Sequence, residues 1–239
     1  MRSLCILLVF ALSGSPVSAA VDCNDANAVE VHEAGPADPR TIAYTTPAGS
    51  NQITLIGWGH RSGGTRSSTT VTMGGNSASA ATTYTYTNTI IGGNLHYYVN
   101  PPAGTNDIVV DWDPSGGPTQ GHVIIFTCSG VDVASPFRST NQASGFSTAV
   151  EVTLATINTG DVAVDFAISN DGSALSVGAN QTVIHQGEST SASAGASRQP
   201  GANGGVMEWT SALADDWAIF AGALKPASEA VEGGALWFP

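Results

Sequence analysis

The histidines His32, His60, His96, His122 and His185 have the most chemistry to offer in this chain, and their spacing speaks against its commonest use. None stands two or four residues from another, so no local zinc-binding pattern forms. His60 and His96 fall at or within strand-like runs and could meet across a sheet, where a core or edge role is the ordinary one. No G-x-S-x-G elbow marks a serine nucleophile, and serines are so numerous that any Ser/His/Asp trio would be an arbitrary choice. A glycoside hydrolase needs carboxyl groups facing each other across a cleft, for which Asp111, Asp113, Glu151, Asp165 and Glu208 are the candidates. Asp111 and Glu208 stand in matching places before Trp112 and Trp209, a match that duplication alone explains. These residues lead us to expect no enzyme and no catalytic set.

Binding chemistry is a little better supplied. No cofactor is implied, and calcium is the one ion that fits: Asp22, Asn24, Asp25 and Asn27, and again Asn170-Asp171-Gly172, offer hard oxygen ligands in short turns. The EF-hand spacing is missing, and such clusters more often serve the turn itself. Tyr84, Tyr86, Tyr97, Tyr98 and the tryptophans could stack on sugar rings, the basis of a carbohydrate-binding or adhesion reading with extracellular glycans as partners. Trp58, Trp112, Trp209 and Trp217, however, recur at matching or strand-central places, which favours core packing.

The elements that must carry these residues occur twice. Ile53–Trp58 matches Val162–Ile168, Val71–Gly74 matches Leu175–Gly178, and His96–Gly104 matches Gly195–Gly201. Ile108–Trp112 then matches Val206–Trp209, and Val123–Phe126 matches Trp217–Phe220. A sheet cannot bury its own apolar face, so the repeat predicts an all-β, two-layer antiparallel sandwich, jelly-roll-like, built from two pseudo-repeated halves. The halves span 41–137 and 149–226 within a sandwich of 41–226, joined by a polar linker at Arg138–Ser147. Before them, 21–40 forms an arm in which Ala28–Glu33 alternates apolar and polar, with Val29 and Val31 on one face, until Gly35-Pro36 breaks it. After them, 227–239 is a tail ending in the apolar run Leu236, Trp237, Phe238.

Composition narrows the class further. Of 239 residues only 11% are charged, 28 are glycine, and the formal net charge is −12, so there is no basic footprint for nucleic acid. The only lysine is Lys225. Natural sheets protect exposed edges with charge, lysine above all, so a β-protein without it either covers its edges or uses them. Residues 1–20 read as a secretory signal: Arg2, the apolar run Leu4–Leu12, then Ser18-Ala19-Ala20. That predicts a secreted or cell-surface protein without a membrane span once the signal is removed. Cys23 and Cys128 are then left as a candidate disulfide, the alternative being a buried Cys128 and a free Cys23.

The runs LHYYVNPPAGTNDIVVDW, FTCSGVDVASPF, GDVAVDF, SVGANQT, GASRQPGA and WAIFAGALKPA resemble a family of bacterial secreted β-sandwich domains of extracellular and surface proteins. The resemblance covers roughly Thr41 to Ala227 and implies a structural or adhesive role. Secreted sandwiches with free arms also resemble subunits of extracellular filaments, in which a neighbour's strand completes each sheet. The expectation is therefore a homopolymer built by β-strand addition, with Val29 and Val31 as the donor residues and Leu236, Trp237 and Phe238 as a second contact.

Overall fold

A computed structural model of the chain describes residues 20–23, 26–34, 39–61, 70–83, 85–87, 91–112 and 120–228. The signal, the Asn24-Asp25 pair, Asp113, Tyr84, the side chain of Tyr86 and the Leu236–Phe238 run lie outside what it describes. Among the described residues there is no α-helix.

The first repeat supplies β1 (Val29–Ala34), β2 (Arg40–Thr46), β3 (Ile53–Arg61), β4 (Thr70–Met73), β5 (Asn76–Ser77), β6 (Ser79–Ala80) and β7 (Thr85–Thr87). It ends with β8 (Ile91–Val99), β9 (Gly104–Asp111) and β10 (Gln120–Cys128). The second supplies β11 (Phe137–Thr153), β12 (Val162–Ser169), β13 (Ser176–Val177), β14 (Thr182–Glu188), β15 (Ser193–Pro200) and β16 (Val206–Leu224). All of these pair antiparallel: β1-β10-β3-β8-β6, with β7 also on β8; β2-β9-β4-β5; and β11-β16-β12-β15-β14, with β13 also on β16.

The duplication extends to the pairing. In the first repeat β3 lies between β10 and β8, and in the second β12 lies between β16 and β15. The long strands β11 and β16 each serve twice. Ser139–Ser147 pairs with Asp215–Ala223, and after a register shift Ala149–Thr153 pairs with Val206–Thr210. In this β11–β16 pair the far part, Ala149–Thr153 with Val206–Thr210, corresponds to β2 and β9, and the near part, Ser139–Ser147 with Asp215–Ala223, to β1 and β10. The segment 138–147 is therefore a strand of the second repeat and not a linker, just as β1 is a strand of the first. Alternation in Ala28–Glu33 marked β1 as strand-like, whereas the polar composition of 138–147 hid that strand from the apolar pattern.

Each repeat forms its own two layers, and the inner sheets of the repeats then stack. Burial follows from this. The outer strand β2 alternates, burying Ile42, Tyr44 and Thr46, whereas β10 is buried throughout and β3 nearly so because both of their faces are covered. One core packs Trp58, Trp112, Ile108 and Ile125 between the layers of the first repeat, and another packs Trp209, Trp217, Val150 and Met207 within the second. The third joins the repeats, setting Ile53, Leu55 and Phe126 against Phe166, Ile168 and Phe220. Glycine permits that approach: a Cβ at Gly57 would overlap the Phe166 ring.

Candidate functional site: the sheet edges and the polar groups beside them

Cys23 and Cys128 form a disulfide, 105 residues apart in sequence. The bond ties the segment before β1 to the end of β10, and β1 itself pairs with β10 from Val29↔Ile125 to Ala34↔Gln120. Val29 and Val31 are partly buried and pack into their own chain's core beside Trp58 and Ile125. The candidate donor arm is thus an edge strand in its own sheet.

Facing the second repeat from β1 is a polar cluster that sequence reading missed. Glu30 Oε1 lies 3.1 Å from His122 Nδ1, and Glu30 Oε2 lies 3.4 Å from His32 Nδ1. The imidazoles of His32 and His122 stack at 5.5 Å. Burial pushes the Glu30 carboxyl up, but hydrogen bonding and charge from His122, then His32, outweigh it and hold Glu30 below the usual range. The cluster is closed by β14, where a Cβ at Gly187 would overlap the Glu30 carboxylate. Alongside it Gln120 Nε2 donates to Thr190 Oγ1 at 3.0 Å and Ser191 Oγ at 2.9 Å, and Ser189 Oγ also bonds to Gln120.

The other sequence candidates are scattered. His60 and His96 each contact Trp58 rather than each other: His60 stacks on the indole at 6.1 Å and Trp58 Nε1 donates to His96 Nδ1 at 3.0 Å. Burial pulls His96 down to about 4, which keeps it a neutral acceptor. Asp165 is fully buried. Its Oδ1 accepts from Ser197 N (2.7 Å) and Oγ (3.0 Å), and its Oδ2 accepts from Trp209 Nε1 (2.9 Å) and Gln181 Nε2 (3.4 Å). Burial still prevails over these donors and pushes Asp165 up to about 7. Glu151 and Glu208 stand opposite each other across the β11–β16 pair, and Asp111 lies in the other repeat.

The oxygens of the Asn170-Asp171 turn are already engaged. Asp171 Oδ2 accepts from Ser211 Oγ at 3.0 Å and Leu213 N at 2.9 Å, and Asn170 Oδ1 accepts from Arg61 Nε at 2.5 Å. Among the described residues no group of three or more His, Cys, Asp or Glu is placed to hold a metal. Trp58, Trp112, Trp209 and Trp217 are buried, which removes them as stacking platforms for sugars.

What the surface does offer is an edge. From Ser139 to Ser147 the near part of β11 runs in unbroken register with β16 on one side, and among the described residues no strand is hydrogen-bonded along its other side, although β7 of the first repeat lies close by. The sequence there, Ser-Thr-Asn-Gln-Ala-Ser-Gly-Phe-Ser, contains no charge and no proline. Neighbouring Arg138 is committed to Asp161, with Nε donating to Oδ2 at 2.5 Å and Nη2 to Oδ1 at 3.0 Å. Lys225, the lone lysine, sits 3.2 Å from Asp132. Inward-reaching side chains hold the strand: Asn141 Nδ2 donates to Thr153 O at 2.8 Å, and Gln142 Nε2 to Thr83 Oγ1 at 2.6 Å. Phe146, 64% exposed, stands near the end of this edge.

Comparison with protein-family models and with curated proteins finds no match to this chain.

Proposed function

We propose that the chain is a secreted structural subunit that assembles with copies of itself into an extracellular filament or surface layer by β-strand addition. The observation that carries this reading is the β11 edge, a run of paired strand without charge, proline or an internal bulge, bounded by register shifts at either end. Those devices are how sheets ordinarily keep neighbours away. A sibling's extended segment laid along Ser139–Ser147 would extend the sheet through main-chain hydrogen bonds, and alternate side chains would set its register. A head-to-tail contact of this kind propagates unless rotation closes it into a ring.

β1 suits the donor role less well than its sequence suggested. The disulfide leaves only Asn24–Ala28 as a hinge, about 17 Å of reach when fully extended. The opposite border of the second sheet is also less open, because β14 carries a bulge between Val183 and His185.

The test compares the mature protein with a Thr140→Lys/Ser144→Lys variant by light scattering and negative-stain microscopy over a concentration series. Both positions are exposed, so the variant is expected to keep its thermal midpoint while losing large assemblies that the unchanged chain forms. Assembly that persists in the variant would move the contact away from β11. An unchanged chain that stays monomeric at high concentration would end the self-assembly reading.

A further inference from the structure

The borders of the three sheets are not equally guarded. β5, β6 and β13 are two residues long and β7 three, too short to template a neighbour. β1 carries Glu30, His32 and Glu33, β14 carries His185, Glu188 and its bulge, and the two lie close to each other. That leaves β2 and the near part of β11. β9 is hydrogen-bonded to β2 on one side, and among the described residues no strand is hydrogen-bonded on the other. β2 reads Arg-Thr-Ile-Ala-Tyr-Thr-Thr, with its one charge at the first position, no proline and an unbroken register against β9.

The duplication sharpens the contrast. β1 corresponds to the near part of β11, and β2 to its far part, Ala149–Thr153. In the first repeat the charges stand on β1, and β2 is bare beyond Arg40. In the second the near part is bare and the far part carries the exposed Glu151. Each repeat thus guards one border segment, and not the corresponding one. The two bare segments are different surfaces, as a contact that propagates head to tail requires, whereas a surface paired with its own copy closes as a dimer. β2 is also held in place before any partner arrives. Ile42, Tyr44 and Thr46 are buried, and Tyr44 Oη lies 2.7 Å from Thr127 Oγ1 of β10, so little ordering is left to a binding step. Its exposed side chains, Thr41, Ala43 and Thr45, are small and uncharged. Phe146 is exposed near the end of the β11 edge, and aromatic rings pair favourably with β-branched residues across strands.

We infer that β2 is the complementary border, and that the Arg40–Thr46 edge of one copy lies along Ser139–Ser147 of the next. The inference rests on the self-assembly reading of β11 and names the segment that extends its sheet. Outward N–H and C=O groups on alternate residues of β2 meet those of β11, joining the β2-β9-β4-β5 sheet of one copy to the second-repeat sheet of its neighbour. Every copy then offers one border of each kind, so the contacts continue from copy to copy.

The test pairs two blocked chains, Thr41→Lys/Ala43→Lys at β2 and Thr140→Lys/Ser144→Lys at β11, all at exposed positions. By sedimentation velocity each is expected to stay monomeric alone, and an equimolar mixture to form a complex of one copy of each and nothing larger. In assemblies of the unsubstituted chain, hydrogen exchange of alternate amides within Thr41–Thr45 is expected to slow at least tenfold against the dilute monomer, a readout that needs no variant. Self-assembly stands but β2 falls as the partner if the β2-blocked chain still forms large assemblies, if it stops at a dimer, or if the mixture gives no complex. Exchange at β2 that is unchanged on assembly overturns the inference in the same way. An unsubstituted chain that stays monomeric overturns the self-assembly reading itself, and this inference with it.

Discussion

Asp165 and Glu30 are buried carboxylates that respond to pH in opposite senses. Asp165 is raised to about 7 in the fold, so the folded chain binds a proton that the unfolded chain has released. Its contribution is most favourable below the ordinary carboxylate range and is lost as pH rises from about 4 to about 7, a change on the order of a few kcal/mol. Glu30 is lowered, so its contribution is present above the ordinary range and lost as pH falls below it. Urea denaturation across pH 4.5 to 7.5 is therefore expected to show stability declining with rising pH. The Asp165→Asn variant should flatten that slope. It should also cost about 1–3 kcal/mol at pH 5, because its amide N–H groups would meet the donors on Trp209 and Ser197. A slope identical in parent and variant would exclude Asp165 as its origin. The sequence offers Asp165 as one of five candidate carboxyls but does not mark its burial within the apolar strand β12. Its partners Ser197, Gln181 and Trp209 come from separate segments and converge only when the sheet forms.

The elements most at issue are the edge strands, and β1 is held by a covalent tie beside its pairing with β10. A loop of about 100 residues closed by a disulfide restricts the unfolded chain by roughly 4–5 kcal/mol in the chain-entropy model. Replacing Cys23 and Cys128 with serine is expected to lower stability by about 2–5 kcal/mol and to remove hydrogen-exchange protection from β1 before β3 or β12. Uniform loss across the strands would mean that β1 holds without its tether. The apolar strands could be placed from sequence because β3, β10 and β12 are covered on both faces and so read as continuous apolar and small residues. The edge at β11 could not. In β11 the stretch from Ser139 to Ser147 has polar, half-exposed side chains, the composition of a loop, and only its pairing with β16 makes it a strand. A tally of apolar runs thus found the repeat, and alternation found β1, but the border strand at Ser139–Ser147 was missed.

At the scale of the whole molecule the duplication is folded back on itself. Each repeat has its own layers, yet the inner sheets share a core in which Phe166 and Phe220, 6.4 Å apart, pack with Ile53, Leu55 and Phe126. Strands of the two repeats also come close beside this core, β1 near β14 and β7 near both β11 and β16. Neither inner sheet can be exposed without uncovering large apolar side chains, so the repeats should unfold together even though each resembles a domain. Truncating Phe166 to alanine is expected to cost about 3–5 kcal/mol, the range for a buried aromatic. Because the ring packs over Gly57, the loss should register in both halves. In native-state hydrogen exchange the slowest amides of β3 and β12 should accelerate by the same factor. If β12 accelerates while β3 keeps its protection, the repeats are energetically separate bodies in contact. In that case the seam between β1 and β14 would be an interface that opens without global unfolding.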